Sequence, residues 1–270
     1  MASAGEIAAR LIECQDRALT LPPITGSDPT FDVARAYEVL AAIIARRKAQ
    51  GWQPVGRKIG FTNRTIWSRY GVDRPMWAPV WAHSVSFATA DRASLALAGL
   101  VQPRIEPEVV FKLKAGLPAT EDPLRLLEGI EWLAAGFEIV QSHFPGWKFA
   151  APDCTAAFGL HGALIVGTPH AASAASGEKL AASLASFEVA LWRGDTLVDR
   201  GVGRNVLGSP LHALGHLVGV LAMQPPFAPL GAGELITTGT LTDAWPVRPG
   251  EIWRSDYGSL GVSGITLQFS

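Results

Sequence analysis

The stretch Arg104-Ile105-Glu106-Pro107-Glu108-Val109-Val110-Phe111 limits what this chain can become more than any other. Read as a strand, it alternates side chains between faces. Arg104, Glu106 and Glu108 then share one side, and Ile105, Pro107, Val109 and Phe111 the other. The apolar side asks for a core. Two acids two residues apart on the opposite side repel, and burying them unpaired is costly or forces one to protonate. A third acid, Glu138, sits inside the mostly apolar run Trp132-Leu133-Ala134-Ala135-Gly136-Phe137-Glu138-Ile139-Val140. A Glu in such a run is seldom buried without a partner. Three carboxylates with no Cys or His cluster suit a hard divalent cation, Mg²⁺ or Mn²⁺, held by oxygen ligands. The competing reading is a solvated strand face on which Arg104 makes a surface ion pair worth little. Spacing alone favours that reading, and the flanking sequence reverses it.

Composition narrows the class. The 270 residues are 48% hydrophobic and 17% charged, a balance that suits a globular chain with a substantial core. The net charge is −1, and no Lys/Arg run is long enough to form a nucleic-acid or anionic-lipid surface. Arg46-Arg47-Lys48 reads as the basic last turn of a helix. Cys14 and Cys154 give neither a disulfide framework nor a paired-thiol metal motif. Residues 1–17 carry Glu6, Arg10 and Glu13 among apolar positions, which predicts an amphipathic helix rather than a signal peptide. No apolar run approaches the roughly 20 residues of a membrane helix. The expectation is a cytoplasmic protein with no membrane and no nucleic-acid partner.

Helices are predicted over residues 5–19 and 31–49, with a Pro/Gly-containing loop over 21–29 between them. Residues 1–52 read as a helical cover and 53–270 as a β-rich domain continuous with it. Residues 56–62 form a short strand between glycines with Lys58 inside it, where a lysine on the wet face of an edge strand is the commoner case. A helical turn over 63–70 and a loop over 71–81 follow. Met76, Trp77 and Trp81 of that loop either line a substrate lid or fill core and subunit contacts. Short strands occupy 84–113. Then come a helix over 122–134, the Glu138 strand, a loop over 142–148, a buried strand over 159–167 and a short helix over 177–185. A hairpin over 187–199 turns at Gly194-Asp195, and Ser209 caps a helix over 210–223 with Pro210 at its first position. Strands at 234–240, 251–253 and 264–269 close the chain. The pattern predicts one α+β domain with helical decoration.

Several motifs are absent. Residues 201–208 lack the spacing of a dinucleotide loop. Gly258-Ser259-Leu260-Gly261 falls one residue short of a nucleophile elbow. His212 and His216 have a zinc-like spacing, but Ala213 stands where a zinc protease carries Glu, so a packed or surface pair is expected.

Lys58-Ile59-Gly60, Pro103-Arg104-Ile105-Glu106-Pro107-Glu108 and Glu138-Ile139-Val140 together resemble the fumarylacetoacetate hydrolase superfamily. The chain is most similar to its 2-keto-4-pentenoate hydratase and 4-oxalocrotonate decarboxylase branch. The resemblance runs from about residue 30 to the end. It takes in the G-V-D-x-P loop, Trp147-Lys148, Leu207-Gly208-Ser209-Pro210 and Thr238-Gly239-Thr240.

The resemblance implies a mixed β-sandwich roll, a homo-oligomer, and Mg²⁺ or Mn²⁺ held by Glu106, Glu108 and Glu138. It implies a 2-oxo or 2-hydroxydienoic acid as substrate and a hydratase reaction in aromatic catabolism. Lys58 matches the active-site lysine, and beside a dication its pKa is expected to fall toward neutrality. Thr240 falls where relatives touch the substrate carboxylate. Lys148 and Asp153 lie in a segment near the pocket and are carried as candidate catalytic groups, with Trp77 and Arg104 as candidate substrate contacts. One departure stands out: hydratases of the branch commonly have Asp where Met76 stands, and decarboxylases tend to be apolar there. The histidine of the C–C bond hydrolases has no match, because none precedes His83. A catalytically silent binding protein of the same fold is the non-enzyme alternative.

Overall fold

The computed structural model describes residues 2–172 and 177–270. Three helices open the chain: α1 (Ala4–Asp16), α2 (Ile24–Ser27) and α3 (Val33–Ala49). Ser3 and Glu6 form a capping box on α1, and Asp32 caps α3. The apolar sides of α1 and α3 share a core with Phe144, Ala156 and Phe158. Arg47 lies in the basic last turn of α3, as expected, and is buried. Its guanidinium donates to Asp16 and Gln15 of α1 and stacks on the Trp52 ring. It therefore fastens α3 to α1.

Among the described residues the strands are β1 (Pro54–Gly60), β2 (Met76–Trp81), β3 (Val85–Phe87), β4 (Arg92–Leu95), β5 (Arg104–Leu113), β6 (Ile130–Val140), β7 (His161–Val166), β8 (His170–Ala171), β9 (Glu188–Arg193), β10 (Thr196–Val202), β11 (Leu235–Thr237), β12 (Trp245–Pro246), β13 (Ile252–Asp256) and β14 (Thr266–Phe269). Five more helices are interspersed: α4 (Trp67–Tyr70), α5 (Pro123–Glu128), α6 (Ala151–Ala156), α7 (Gly177–Ser186) and α8 (Pro210–Ala222). The larger sheet runs β2-β1-β11-β5-β6-β7-β3, with β12 beside β5 and β8 beside β6. The smaller runs β10-β9-β13-β14-β4. Ile105, Val109, Phe111, Phe137 and Ile139 on one face of the larger sheet share a core with Val189, Leu191, Trp253, Leu267 and Phe269 of the smaller. This is the expected α+β sandwich roll with helices over it. No described helix is long and apolar enough to cross a membrane.

The short helices α2 and α6 lie where no helix is expected, and two longer elements also depart from the sequence reading. The expected loop over 71–81 contains the fully buried strand β2, paired antiparallel with β1 at the end of the sheet. There Pro79 is tolerated because an end strand does not need every donor. The expected helix over 122–134 stops at Glu128, with Gly129 as its C-cap. From Ile130 the chain becomes β6, a strand buried so fully from Leu133 onward that its apolar run carries no period to separate it from a helix.

Candidate active site

Register builds the site. β5 pairs antiparallel with β6 so that Glu106 lies directly opposite Glu138, and Glu108 opposite Gly136. Like charges facing each other across a ladder destabilise it, so this pairing needs a counter-charge. Lys58 supplies one. It pairs with Thr237 of β11, which pairs with Val110 of β5. That row puts Lys58 on the same face as Glu106 and Glu108, away from the inter-sheet core. Gly136 keeps the position opposite Glu108 open, since a Cβ there would come within 2.5 Å of Val110.

Lys58 is buried. Its Nζ donates to the Gly159 carbonyl at 2.9 Å and lies 3.1 Å from Glu138 Oε2, off the hydrogen-bonding direction. The other Glu138 oxygen lies 2.8 Å from Nδ1 of His161, whose Nε2 is 2.8 Å from Ser84 Oγ. An ionised carboxylate only accepts, so Nδ1 donates. Glu108 Oε2 accepts the Gly239 amide at 2.8 Å. Gly239 has φ +95, and a Cβ there would fall 1.9 Å from Thr62 Oγ1, so only glycine serves. The Tyr257 hydroxyl, reaching across from the smaller sheet, lies 2.6 Å from the Glu108 carbonyl and 3.1 Å from that of Gly136. His161, Gly239 and Tyr257 are thus positioning residues for the acids.

The electrostatics follow the burial. Burial drives the Glu106 carboxyl up to about 7, Glu138 adds to the rise, and Lys58 and Arg104 oppose it. Burial and then the two neighbouring acids push Glu108 well above the carboxylate range. Burial also opposes ionisation of Glu138, but Lys58 and His161 outweigh it and hold that group at about 2. Burial disfavours the Lys58 ammonium, yet Glu138, Glu106 and Glu108 together hold its pKa above the ordinary value. The three acids each offer an oxygen within 4.8 Å of the others. Glu108 Oε1 and Glu138 Oε2 are buried without a hydrogen-bond partner. Converging buried carboxylate oxygens with no soft ligand, Glu108 Oε1 among them without a partner, are what a hard divalent cation requires, so the residues present fit Mg²⁺ or Mn²⁺.

Lys58, Glu106 and Thr240 line a narrow cavity together with Met76, Trp147 and others. The remaining candidates fall elsewhere. Trp77 pairs with Ile59, not Lys58; it points to the opposite face, stacks on Tyr37 and donates to Gln224. Its neighbour Met76, opposite Gly60, takes the cavity position instead. Arg104 lies over the Trp147 ring at 4.1 Å, near enough for its charge to act on Glu106 but outside the cavity lining. Lys148 is exposed and lines no part of the cavity. Asp153 is fully buried, but it accepts from the Thr25 amide and hydroxyl and from the Ala150 amide. It ties α2 to the start of α6. Asp153→Ala is expected to cost about 2–4 kcal/mol in denaturant unfolding while turnover stays within about threefold of the parent. A loss of turnover with stability unchanged would restore Asp153 to the chemistry. His143 Nδ1 donates to the Leu19 carbonyl, away from the acids. His212 and His216 line a separate surface cleft of about 390 Å³ with Arg64 and Glu121, and no metal-binding triad forms there among the described residues.

No family model matches the chain. It is 31% identical over 266 residues to the curated 2-hydroxyhexa-2,4-dienoate hydratase of Comamonas testosteroni, across 97% of this chain and 95% of that one. It is 30% identical to a 4-oxalocrotonate decarboxylase of a Pseudomonas species, across 98% and 97%. Its fold matches that of the 4-oxalocrotonate decarboxylase from Pseudomonas putida G7, solved with magnesium and adipate, at a TM-score of 0.88 and 24% identity, covering 99% and 97%. The fumarylpyruvate hydrolase from Pseudomonas aeruginosa, solved with Mn²⁺ and pyruvate, matches at 0.60 and 15% identity, covering 79% and 88%. On this sequence identity over nearly its whole length and this shared fold, the chain belongs to the hydratase and decarboxylase branch of the fumarylacetoacetate hydrolase superfamily.

Proposed function

We propose that the chain is a divalent-metal-dependent lyase of short 2-hydroxydienoic or 2-oxo acids, acting as a hydratase of a 2-hydroxy-2,4-dienoate. One observation carries the reading: three converging carboxylates stand beside Lys58, the one cationic side chain lining the cavity among the described residues. Glu106, Glu108 and Glu138 would hold Mg²⁺ or Mn²⁺. When bound, the ion supplies Lewis acidity to the C2 oxygen of the substrate. Lys58 Nζ then holds or delivers the proton that ketonisation of the dienol and addition of water both require. Thr240, beside Gly239, meets the C1 carboxylate. The apolar walls limit access of bulk water. The names of the two curated relatives support a lyase of such acids. A homo-oligomeric, cytoplasmic enzyme of aromatic catabolism belongs to the same proposal.

Decarboxylation is the second reading, and Met76 favours it. That side chain lines the cavity next to Lys58, so no second carboxylic acid faces the lysine from that position. Product analysis separates the two. With 2-hydroxypenta-2,4-dienoate and Mg²⁺ the hydratase gives the 4-hydroxy-2-oxo acid without carbon dioxide. Carbon dioxide released from a 2-oxo diacid, with the dienoate left intact, would replace hydration by decarboxylation.

The metal affinity is expected to depend on pH. Glu106 and Glu108 titrate high, so near pH 6 they carry protons that the ion must displace. Affinity falls with falling pH, roughly tenfold per unit for each proton displaced. Calorimetric titration with Mn²⁺ at pH 6 and pH 8 checks this, and equal dissociation constants would count against ligation by these acids.

A further inference from the structure

We infer that Thr237 is a further positioning residue of the acidic centre: its hydroxyl accepts a hydrogen bond from water that hydrates the bound ion. The inference rests on the metal-dependent reading proposed above and adds to it a residue outside the carboxylate set.

Register places the side chain. Thr237 ends β11 and pairs with Lys58 of β1 on one side and Val110 of β5 on the other. Paired residues share a face, so Thr237 points to the side that carries Lys58, Glu106 and Glu108. Glu108 lies two residues from Val110 and is thus the diagonal neighbour of Thr237. Diagonal neighbours stand roughly 7–8 Å apart, within reach of a long side chain. The chain then passes through Thr238 to Gly239, whose amide donates to Glu108 Oε2 at 2.8 Å. Thr237 therefore sits between the lysine and one of the acids.

Its hydroxyl is the anomaly. Thr237 is fully buried, and among the described residues its Oγ1 has no hydrogen-bond partner. Neighbouring threonines are not in that state. Thr62 Oγ1 donates to the Thr238 carbonyl at 2.9 Å, Thr238 Oγ1 to the Val109 carbonyl at 3.0 Å and Thr242 Oγ1 to the Asp243 carbonyl at 2.9 Å. A buried hydroxyl without a partner costs free energy that an isosteric Val would not. Val110 and Leu235, which share this face, belong to an apolar cluster that would suit Val. Lys58 Nζ is engaged by the Gly159 carbonyl and Glu138, so it does not answer the hydroxyl. Glu108 Oε1 is likewise without a partner. Two unsatisfied oxygens, one of a hydroxyl and one of a carboxylate, thus lie on neighbouring strands of one buried face. Mg²⁺ or Mn²⁺ held by carboxylates keeps several waters. Buried water needs polar partners, and Thr237 Oγ1 supplies an acceptor for one.

The test measures Mn²⁺ affinity by calorimetry and thermal unfolding in EDTA for three substitutions. Thr237→Val keeps the shape and removes the hydroxyl. It is expected to weaken Mn²⁺ binding by about tenfold or more, the scale of a lost partner behind the ligands. Its melting temperature in EDTA should equal or exceed the parent's. Thr237→Ser keeps the hydroxyl, so it should hold the parent's affinity while melting lower for loss of the methyl. Thr237→Ala adds no bulk and repeats the loss of the hydroxyl; it should bind Mn²⁺ less tightly than Thr237→Ser. Parent affinity in Thr237→Val and Thr237→Ala overturns the inference and leaves the three carboxylates as the metal centre. Equal weakening in Thr237→Val and Thr237→Ser makes the role one of shape and overturns it as well. A parent protein that binds no Mn²⁺ overturns the metal-dependent reading itself, and the inference with it.

Discussion

Glu108→Gln is expected to weaken divalent-metal binding by more than about 10²-fold, the upper end of what loss of an outer-shell partner costs. The same substitution should raise the thermal stability of the protein in chelator. These opposite signs come from one cause. Glu108 is fully buried, and its carboxyl is pushed well above the ordinary range by burial, Glu138 and Glu106. A group whose folded pKa is raised contributes stability that is fully present below its unfolded pKa and is lost as pH rises through the folded value. At pH 8 the folded protein therefore bears either a buried charge or the cost of keeping on Glu108 a proton that the unfolded chain would release. Gln removes it while keeping the shape and the acceptor for the Gly239 amide. Each kcal/mol relieved moves the melting temperature by roughly 2–4 °C in a domain of this size. At pH 5, where the acid is already protonated, the gain should vanish. Scanning calorimetry at both pH values in EDTA, with Mn²⁺ titration of the same variant, reads both signs. Undiminished metal binding would remove Glu108 from the ligand set.

Lys58→Met carries the second large effect. Turnover is expected to fall by roughly 10²-fold or more, the scale of a lost acid/base group. Metal binding should persist or tighten, because a positive charge 3.1 Å from Glu138 has been removed. Without metal the variant should be less stable by about 3–5 kcal/mol, the cost of leaving a buried ion pair with one partner. Saturating Mn²⁺ should restore much of that by supplying the missing positive charge. A merely structural lysine would lower stability and spare kcat in the metal-saturated enzyme. Normal turnover at saturating Mn²⁺ would take Lys58 out of the chemistry.

The acids were legible in the sequence because a strand period and an apolar run are local signals. Glu106 and Glu108 share a face by alternation alone, and Glu138 stands out against the apolar residues around it. That Glu106 and Glu138 are cross-strand partners is not legible, since their register is set by the turn and helix that join β5 to β6. The same gap misplaced Trp77. Its neighbour Met76 faces the cavity, and the choice between them is one residue of register against β1. His161 carries the same signal as Glu138, a polar side chain in an otherwise apolar strand, but nothing local ties it to the acids. Asp153 and Lys148 are candidates only through the family resemblance of their segment, and one is committed to clamping α2 against α6 while the other is exposed. Tyr257 gave no signal, because its reach to the β5 and β6 carbonyls exists only once the two sheets pack.

We propose that the three buried carboxylates form one divalent-metal centre. Titration of the purified, chelator-treated protein with Mn²⁺, followed by electron paramagnetic resonance, tests it directly. One bound ion per chain is expected, displaced by Mg²⁺ and lost in Glu106→Gln, Glu108→Gln and Glu138→Gln alike. A protein that binds no Mn²⁺, or whose bound ion survives all three substitutions, would contradict it.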